Sequence, residues 1–170
     1  MTALSSVVPF GTAPSGESVS LITLSIRYQA VCDADTICSL TNHSYFNLSG
    51  HNTGSVLDHT VCVRGRSSDP YDGEFIPSGT LRPAAWVESA QTGIALQVCT
   101  TLPAVHFYTA NTIEAGHPGK GGSTYEAYHA FCLETQYFPD TPNQPAFPSV
   151  KLKAGEEYDH TTRFTFSVMV

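Results

Sequence analysis

The sequence predicts an all-β fold, an antiparallel β-sandwich, from two features of its 170 residues. Apolar and polar residues alternate with a period of two in several stretches, as in strands that bury one face. Turns rich in glycine and proline separate these stretches, and the chain holds 13 glycines and 11 prolines. No stretch sustains the apolar period of a helix for about three turns. The length fits one domain with a substantial core.

Clear alternation predicts three strands. In residues 22–30 apolar side chains occupy the even positions, from Ile22 to Ala30, and polar side chains occupy all the odd positions. The same alternation occurs in residues 94–99 and 161–168. Less regular patterns predict further strands at residues 37–41, 60–64, 105–110 and 131–135.

A proline-rich stretch, residues 138–148, fits neither a helix nor a central strand, because proline lacks the amide hydrogen that both require. Its aromatic ends favour an ordered, extended loop pinned by Phe138 and Phe147. A disordered connector is the alternative.

Composition and charge exclude several classes of partner. The net charge of −7, from 15 acidic and 8 basic residues, repels phosphate backbones, so we expect no nucleic acid partner. No apolar run approaches the roughly 18 residues of a membrane span, so we expect no membrane association. The N-terminus lacks the basic start of a secretory signal. Five cysteines without a Cys-x-x-Cys pair favour reduced thiols and a cytoplasmic location.

Local motifs for metals, nucleotides and serine nucleophiles are also missing from the sequence. There is no His-Glu-x-x-His, no Gly-x-Ser-x-Gly, and Lys120 is followed by glycine rather than by the serine or threonine of a phosphate-binding loop. We therefore expect neither a metal nor a cofactor.

A metal-free acid–base pair is the remaining chemistry. His43 lies in a mixed polar and aromatic stretch, residues 40–48, of the kind that contacts sugars. Glu134 follows Phe131, Cys132 and Leu133, and an inward orientation would raise its pKa and make it a usable base. Each residue alone also fits a structural histidine or a surface carboxylate. A glycoside hydrolase would need two nearby carboxylates, and the pair Asp33 and Asp35 lies in a predicted turn.

Two signatures resemble those of the galactose mutarotase or aldose 1-epimerase family. The first is Thr41-Asn-His-Ser-Tyr-Phe-Asn-Leu-Ser-Gly50, and the second is Cys132-Leu-Glu-Thr-Gln-Tyr-Phe-Pro-Asp140, continued by residues 143–149. Shorter segments match the family in the same order, namely Asp58-His59, Phe75-Ile-Pro-Ser-Gly79, Val105-His-Phe-Tyr-Thr-Ala-Asn111 and Gly155-Glu-Glu-Tyr158.

The resemblance implies a shortened galactose mutarotase-like sandwich and an isomerase that interconverts the α and β anomers of hexoses such as galactose and glucose. His43 would be the general acid and Glu134 the general base, on opposite sides of the sugar. Ser44 and Tyr45 would line the sugar pocket, and His106 stands where the family has a substrate-binding glutamine. The implied partner is a small aldohexose, and we expect a monomer.

Two departures from the family leave a second interpretation open. Residues 1–18 match nothing in the family, and their glycine, serine and proline content is compatible with disorder; residues 19–170 form the predicted domain. Near residues 82–85 the family has an additional segment with a sugar-binding aspartate, and its N-terminal half supplies further sugar contacts. The alternative is therefore a non-catalytic carbohydrate-binding pseudoenzyme or a truncated gene product.

Overall fold

A computed structural model describes residues 1–12, 16–64 and 79–168. These residues confirm the all-β antiparallel fold: they contain no α-helix, and hence no helical segment that could span a membrane. Two short 3-10 turns occur, at Lys120–Gly122 and Thr141–Asn143. The strands are β1 (Thr2–Thr12), β2 (Ser18–Val31), β3 (Thr36–Ile37), β4 (His59–Val63), β5 (Arg82–Ser89), β6 (Ile94–Thr100), β7 (Ala104–Tyr108), β8 (His117–Pro118), β9 (Thr124–Tyr125), β10 (Cys132–Gln136), β11 (Lys151–Leu152) and β12 (Glu157–Val168).

A six-stranded antiparallel sheet, in the order β1-β2-β12-β6-β5-β4, forms the largest layer. The C-terminal strand β12 lies inside this sheet and pairs with β2 over ten residue pairs and with β6 over seven. The remaining strands form three two-stranded sheets, β10 with β7, β11 with β3, and β8 with β9.

The core lies between the six-stranded sheet and the β10–β7 pair. Leu96, Val98 and Phe164 on the large sheet and Leu133 on β10 belong to one buried apolar cluster. The side chain of Thr135, two residues after Leu133 and so on the same face of β10, hydrogen bonds to Thr162 on β12. The opposite face of β10, which carries Cys132 and Glu134, is thereby turned away from the large sheet.

The three clearly alternating stretches are confirmed as strands β2, β6 and β12. The weaker patterns at residues 60–64, 105–110 and 131–135 correspond to β4, β7 and β10 with shifted ends. The predicted strand at residues 37–41 is wrong in extent, because only Thr36–Ile37 pairs, with β11. Of the shorter signature segments, residues 75–78 lie outside the described part of the chain.

The alternation pattern did not reveal β1, which pairs with β2 along most of its length. Every residue of β1 is exposed, so neither face selects for apolar side chains and no period of two arises. Leu4 is 70% exposed and Val7 is 67% exposed. Residues 2–12 form an edge strand of the large sheet, and the domain division at residue 19 stays a prediction.

The proline-rich stretch is an ordered loop, as predicted. The rings of Phe138 and Phe147 lie 4.9 Å apart and close it, and Thr141–Asn143 forms a 3-10 turn within it.

His160 on β12 has a buried imidazole, and both of its ring nitrogens contact hydroxyl groups. Nδ1 lies 3.0 Å from Thr101 Oγ1 and Nε2 lies 3.4 Å from the Tyr137 hydroxyl. Burial lowers the pKa of His160 below its ordinary value, against the opposing charge of Asp159. The folded chain therefore binds a proton at this site less readily than the unfolded chain, whose histidine titrates near pH 6.5.

We predict that the free energy of unfolding is maintained above about pH 6.5 and falls as the pH is lowered below that value. The H160Q variant, which retains polar atoms without a titrating ring, should lose less stability between about pH 7 and pH 5.5. Urea unfolding at the two pH values measures this difference. H117Q, at an exposed histidine, is the control and should keep the pH dependence of the wild type. Equal pH dependence of the wild type and H160Q would contradict the assignment of this effect to His160.

Candidate active site

The first signature is fastened to β10 by a pair of backbone hydrogen bonds. The Phe46 amide donates to the Phe131 carbonyl at 2.8 Å, and the Phe131 amide donates to the Phe46 carbonyl at 2.9 Å. The two rings also pack, with centroids 5.9 Å apart. His43 precedes this bridge by three residues and Glu134 follows it by three, so the bridge brings the two predicted catalytic residues to the same place.

Asn47 holds the same segment through its side-chain amide. Its Nδ2 donates to the carbonyls of Gly54 at 2.9 Å and His129 at 3.1 Å, and its Oδ1 accepts from the amide of Ser49 at 3.0 Å. One side chain thus satisfies three backbone groups of an irregular segment that has no ladder of its own.

The Asp58-His59 motif has a structural role in the same segment. The His59 ring is fully buried, and its Nε2 accepts a hydrogen bond from the Leu48 amide at 3.1 Å. Its Nδ1 lies 2.9 Å from Asp58 Oδ1, and a proton on Nδ1 donated to this carboxylate leaves Nε2 free to accept. The motif therefore orients the backbone that carries the first signature.

The β10–β7 pair presents Glu134 and His106 side by side. These two residues are direct partners in the antiparallel register. Glu134 is only 9% exposed, although it lies on the face of β10 that is turned away from the large sheet. Cys132 and Glu134 are two residues apart and therefore share the outward face of β10.

His43 and Glu134 meet at the edge of an open groove. Nε2 of His43 lies 3.4 Å from Oε1 of Glu134, with 49% of the imidazole and 11% of the carboxylate side chain exposed. The groove has a volume of about 390 Å³ and is lined by His43, Tyr45, His106, Tyr108, Glu134, Gln136 and Pro139.

Cys132 contacts the other nitrogen of the His43 ring. Its Sγ lies 3.5 Å from Nδ1. Burial, reinforced by the charge of Glu134, raises the pKa of the Cys132 thiol to about 12, so the sulfur keeps its proton at neutral pH. A thiol proton donated to Nδ1 leaves the neutral imidazole with its own proton on Nε2, the nitrogen that faces Glu134.

Two tyrosines border the histidine. The His43 ring lies 5.0 Å from that of Tyr45 and 6.0 Å from that of Tyr108, centre to centre. Burial, followed by the nearby acidic groups, raises the pKa of Tyr45, so this hydroxyl stays a neutral hydrogen-bond donor. The groove therefore combines aromatic faces, hydrogen-bonding groups and one acid–base pair.

Four of the five predicted site residues line this groove, namely His43, Tyr45, His106 and Glu134. Ser44 is exposed and is not among the lining residues; its backbone amide donates to Asn42 Oδ1 at 3.0 Å. The sequence analysis did not identify Tyr108, Gln136 and Pro139. The alternation of faces along a strand could have identified Tyr108 and Gln136. Tyr108 follows His106 by two residues, and Gln136 follows Glu134 by two, so each shares a face with a predicted site residue.

A second cavity, of about 790 Å³, lies next to the groove and shares Tyr45 with it. Neither His43 nor Glu134 lines this cavity, and its surface is mainly apolar. The groove is therefore the better candidate for acid–base chemistry.

Comparisons with known proteins agree on one family. A sequence profile for the aldose 1-epimerase family matches residues 19–88 and 66–165, which together cover most of the chain. The chain is 37% identical to human galactose mutarotase over an alignment of 185 positions that covers 85% of this chain. It is 30% identical to aldose 1-epimerase of Haemophilus influenzae over an alignment of 189 positions that again covers 85% of this chain.

The fold agrees as well. The solved structure of a GalM/aldose epimerase homologue from C. elegans superposes with a TM-score of 0.71 at 21% identity, over 99% of this chain and 66% of that one. The chain spans about half the length of the curated relatives it matches, 54% for the human protein.

We predict that N47A destabilises the fold by about 3 kcal/mol, because three hydrogen bonds are each worth about 1 kcal/mol net. Urea unfolding measures the loss. N111A, at an exposed asparagine, is the matched control and should change stability by less than about 0.5 kcal/mol. Equal effects of the two substitutions would show that Asn47 does not hold the signature segment.

Proposed function

Because the chain belongs to the aldose 1-epimerase family, we propose that it interconverts the α and β anomers of aldohexoses such as galactose and glucose by acid–base ring opening. The observation that carries the proposal is the pairing of His43 Nε2 with Glu134 Oε1, 3.4 Å apart at the edge of the groove. The reaction needs one proton donor and one acceptor and no further reagent.

In the proposed reaction Glu134, as general base, removes the proton from the anomeric hydroxyl, and His43, as general acid in its imidazolium form, protonates the ring oxygen and becomes neutral. The bond between C1 and the ring oxygen breaks, and C1 becomes an aldehyde. Rotation about the C1–C2 bond turns the other face of the aldehyde toward the new hydroxyl. Ring closure with the proton transfers reversed gives the other anomer and restores both side chains.

The geometry differs from the resemblance in one respect, the placement of the acid and the base on opposite sides of the sugar. His43 and Glu134 lie side by side, so no sugar fits between them in this arrangement. The two oxygens that exchange protons are both bonded to C1, and adjacent groups reach both from one edge of the ring. We therefore propose an edge-on approach of C1 to the pair.

The rest of the groove supports a sugar as substrate. Its volume of about 390 Å³ lies within the range of small-molecule sites. Tyr45 and Tyr108 offer aromatic faces that pack on sugar C–H groups. His106 and Gln136 offer hydrogen-bonding groups for hydroxyls.

A non-catalytic sugar-binding protein is the second candidate, and the openness of the groove favours it. Much of the rate of such a reaction comes from positioning the substrate against its acid and base. The relatives are longer than this chain, which therefore has fewer residues for that positioning. We also propose a monomer in the cytoplasm, with residues 19–170 as the catalytic domain. The five free cysteines support a reducing compartment.

We predict that the wild-type chain accelerates the mutarotation of fresh α-D-glucose or α-D-galactose, followed by polarimetry. H43A and E134Q should each lower the protein-dependent rate by about 10²-fold to 10⁴-fold, the usual contribution of a general acid or base. H117A and E126Q, at exposed positions, serve as matched controls and should keep the wild-type rate. A wild-type rate no higher than that of H43A or E134Q would exclude catalysis by this pair. Sugar binding by calorimetry without any acceleration would instead support the second candidate.

We predict that H106Q alters substrate binding rather than proton transfer. His106 is the register partner of Glu134 and lines the groove, where it offers a hydrogen bond to a hydroxyl. The substitution should change KM by about fivefold, the equivalent of one hydrogen bond of about 1 kcal/mol, with a smaller change in kcat. Mutarotation rates over a range of galactose and glucose concentrations measure both constants. A fall in kcat with KM unchanged would place His106 in the chemical step instead.

A further inference from the structure

The acid–base pair belongs to a cluster of three different metal-binding side chains. Donor atoms of His43, Cys132 and Glu134, one per residue, all lie within 4.8 Å of one another. The sequence analysis expected no metal because it searched for local spacings, whereas His43 and Cys132 are 89 residues apart. The Phe46–Phe131 bridge brings them together, and the two-residue spacing of Cys132 and Glu134 places both on one face of β10.

We propose that this cluster is a Zn²⁺ site, with His43, Cys132 and Glu134 as three ligands and a fourth position open to the groove. Zn²⁺ binds nitrogen, thiolate sulfur and carboxylate oxygen, usually with four ligands in a tetrahedron. Sites that combine three protein ligands with one exchangeable position are a recurrent zinc arrangement.

Two of the donor separations, measured from different ring nitrogens of His43, match those around a tetrahedral ion. Bonds of about 2.3 Å to sulfur and about 2.0–2.1 Å to nitrogen or oxygen separate the ligand atoms by about 3.3–3.6 Å. The observed separations are 3.5 Å for His43 Nδ1 to Cys132 Sγ and 3.4 Å for His43 Nε2 to Glu134 Oε1. These distances use both ring nitrogens, and an ion takes only one, so the imidazole must turn. The ring is half exposed and can do so.

Charge also favours the ion at this position. The Glu134 carboxylate is nearly buried, and within the described residues no lysine or arginine lines the groove. Binding transfers the thiol proton of Cys132 to the buffer, which costs affinity because the sulfur is buried. The double charge of Zn²⁺ beside both the thiolate and the carboxylate opposes that cost.

Metal capture has a consequence that rests on the proposed function. A Zn²⁺ ion bound to His43 and Glu134 occupies the lone pairs that would exchange protons with the sugar. The zinc-loaded chain should therefore be inactive as a mutarotase, and a chelator should restore activity. The metal site itself does not depend on that activity.

The test uses Co²⁺ as a spectroscopic substitute for Zn²⁺. Titration of the wild-type chain with Co²⁺ should produce a thiolate-to-cobalt charge-transfer band in the near ultraviolet, together with visible bands of a tetrahedral ion, saturating at one equivalent. C132S should abolish the charge-transfer band. C62S removes an exposed cysteine on β4 and should retain it. A band that survives in C132S, or that disappears in C62S, would overturn the assignment.

Calorimetry with Zn²⁺ tests the other two ligands. H43A and E134Q should each weaken binding at least about tenfold, since even the loss of an outer-shell partner weakens metal binding by that factor. Circular dichroism establishes that each variant is folded before it is titrated. Wild-type affinity in both folded variants would overturn the proposal. Failure of the polarimetric assay leaves these metal measurements unaffected, so the two proposals fail independently.

Discussion

The candidate site depends on the two-way backbone bridge between Phe46 and Phe131. Among the described residues, 41–50 have no strand partner beyond this point, and the His43 ring is half exposed. Without the bridge, an irregular segment would have to hold the His43 imidazole against a carboxylate that is more than ninety residues away in the sequence. Asn47 and the buried His59 reinforce the bridge by satisfying backbone groups on its C-terminal side. Most of the first signature therefore serves to hold His43 against β10.

Much of the fold follows from side-chain periodicity, because a strand with one buried face records that burial in its sequence. Residues 22–30, 94–99 and 161–168 alternate for this reason, and they form the centre of the large sheet. The sequence of β1 shows no such alternation, because both of its faces are exposed. The site divides in the same way: the resemblance identified His43 and Glu134, but the contact of Cys132 with the imidazole depends on tertiary structure that local sequence does not encode.

β1 forms an exposed edge of the large sheet. An edge strand with exposed Leu4, Val7 and Phe10 and a free row of backbone groups is the kind of surface that natural sheets usually cover or shorten. The chain spans 54% of the human relative's length, and its groove is open. The proposed acid and base therefore lie in an open groove, and substrate positioning is the weakest part of the proposed catalysis.

The central claim is that this chain exchanges protons with a hexose through His43 and Glu134 together. Exchange NMR on an equilibrated solution of C1-labelled glucose tests it most directly, because it measures anomer interconversion without any net reaction. The account predicts α–β exchange cross-peaks that grow in proportion to the concentration of the wild-type chain and stay at the buffer rate with the H43A/E134Q double variant. Identical exchange rates for the wild type and the double variant would contradict it.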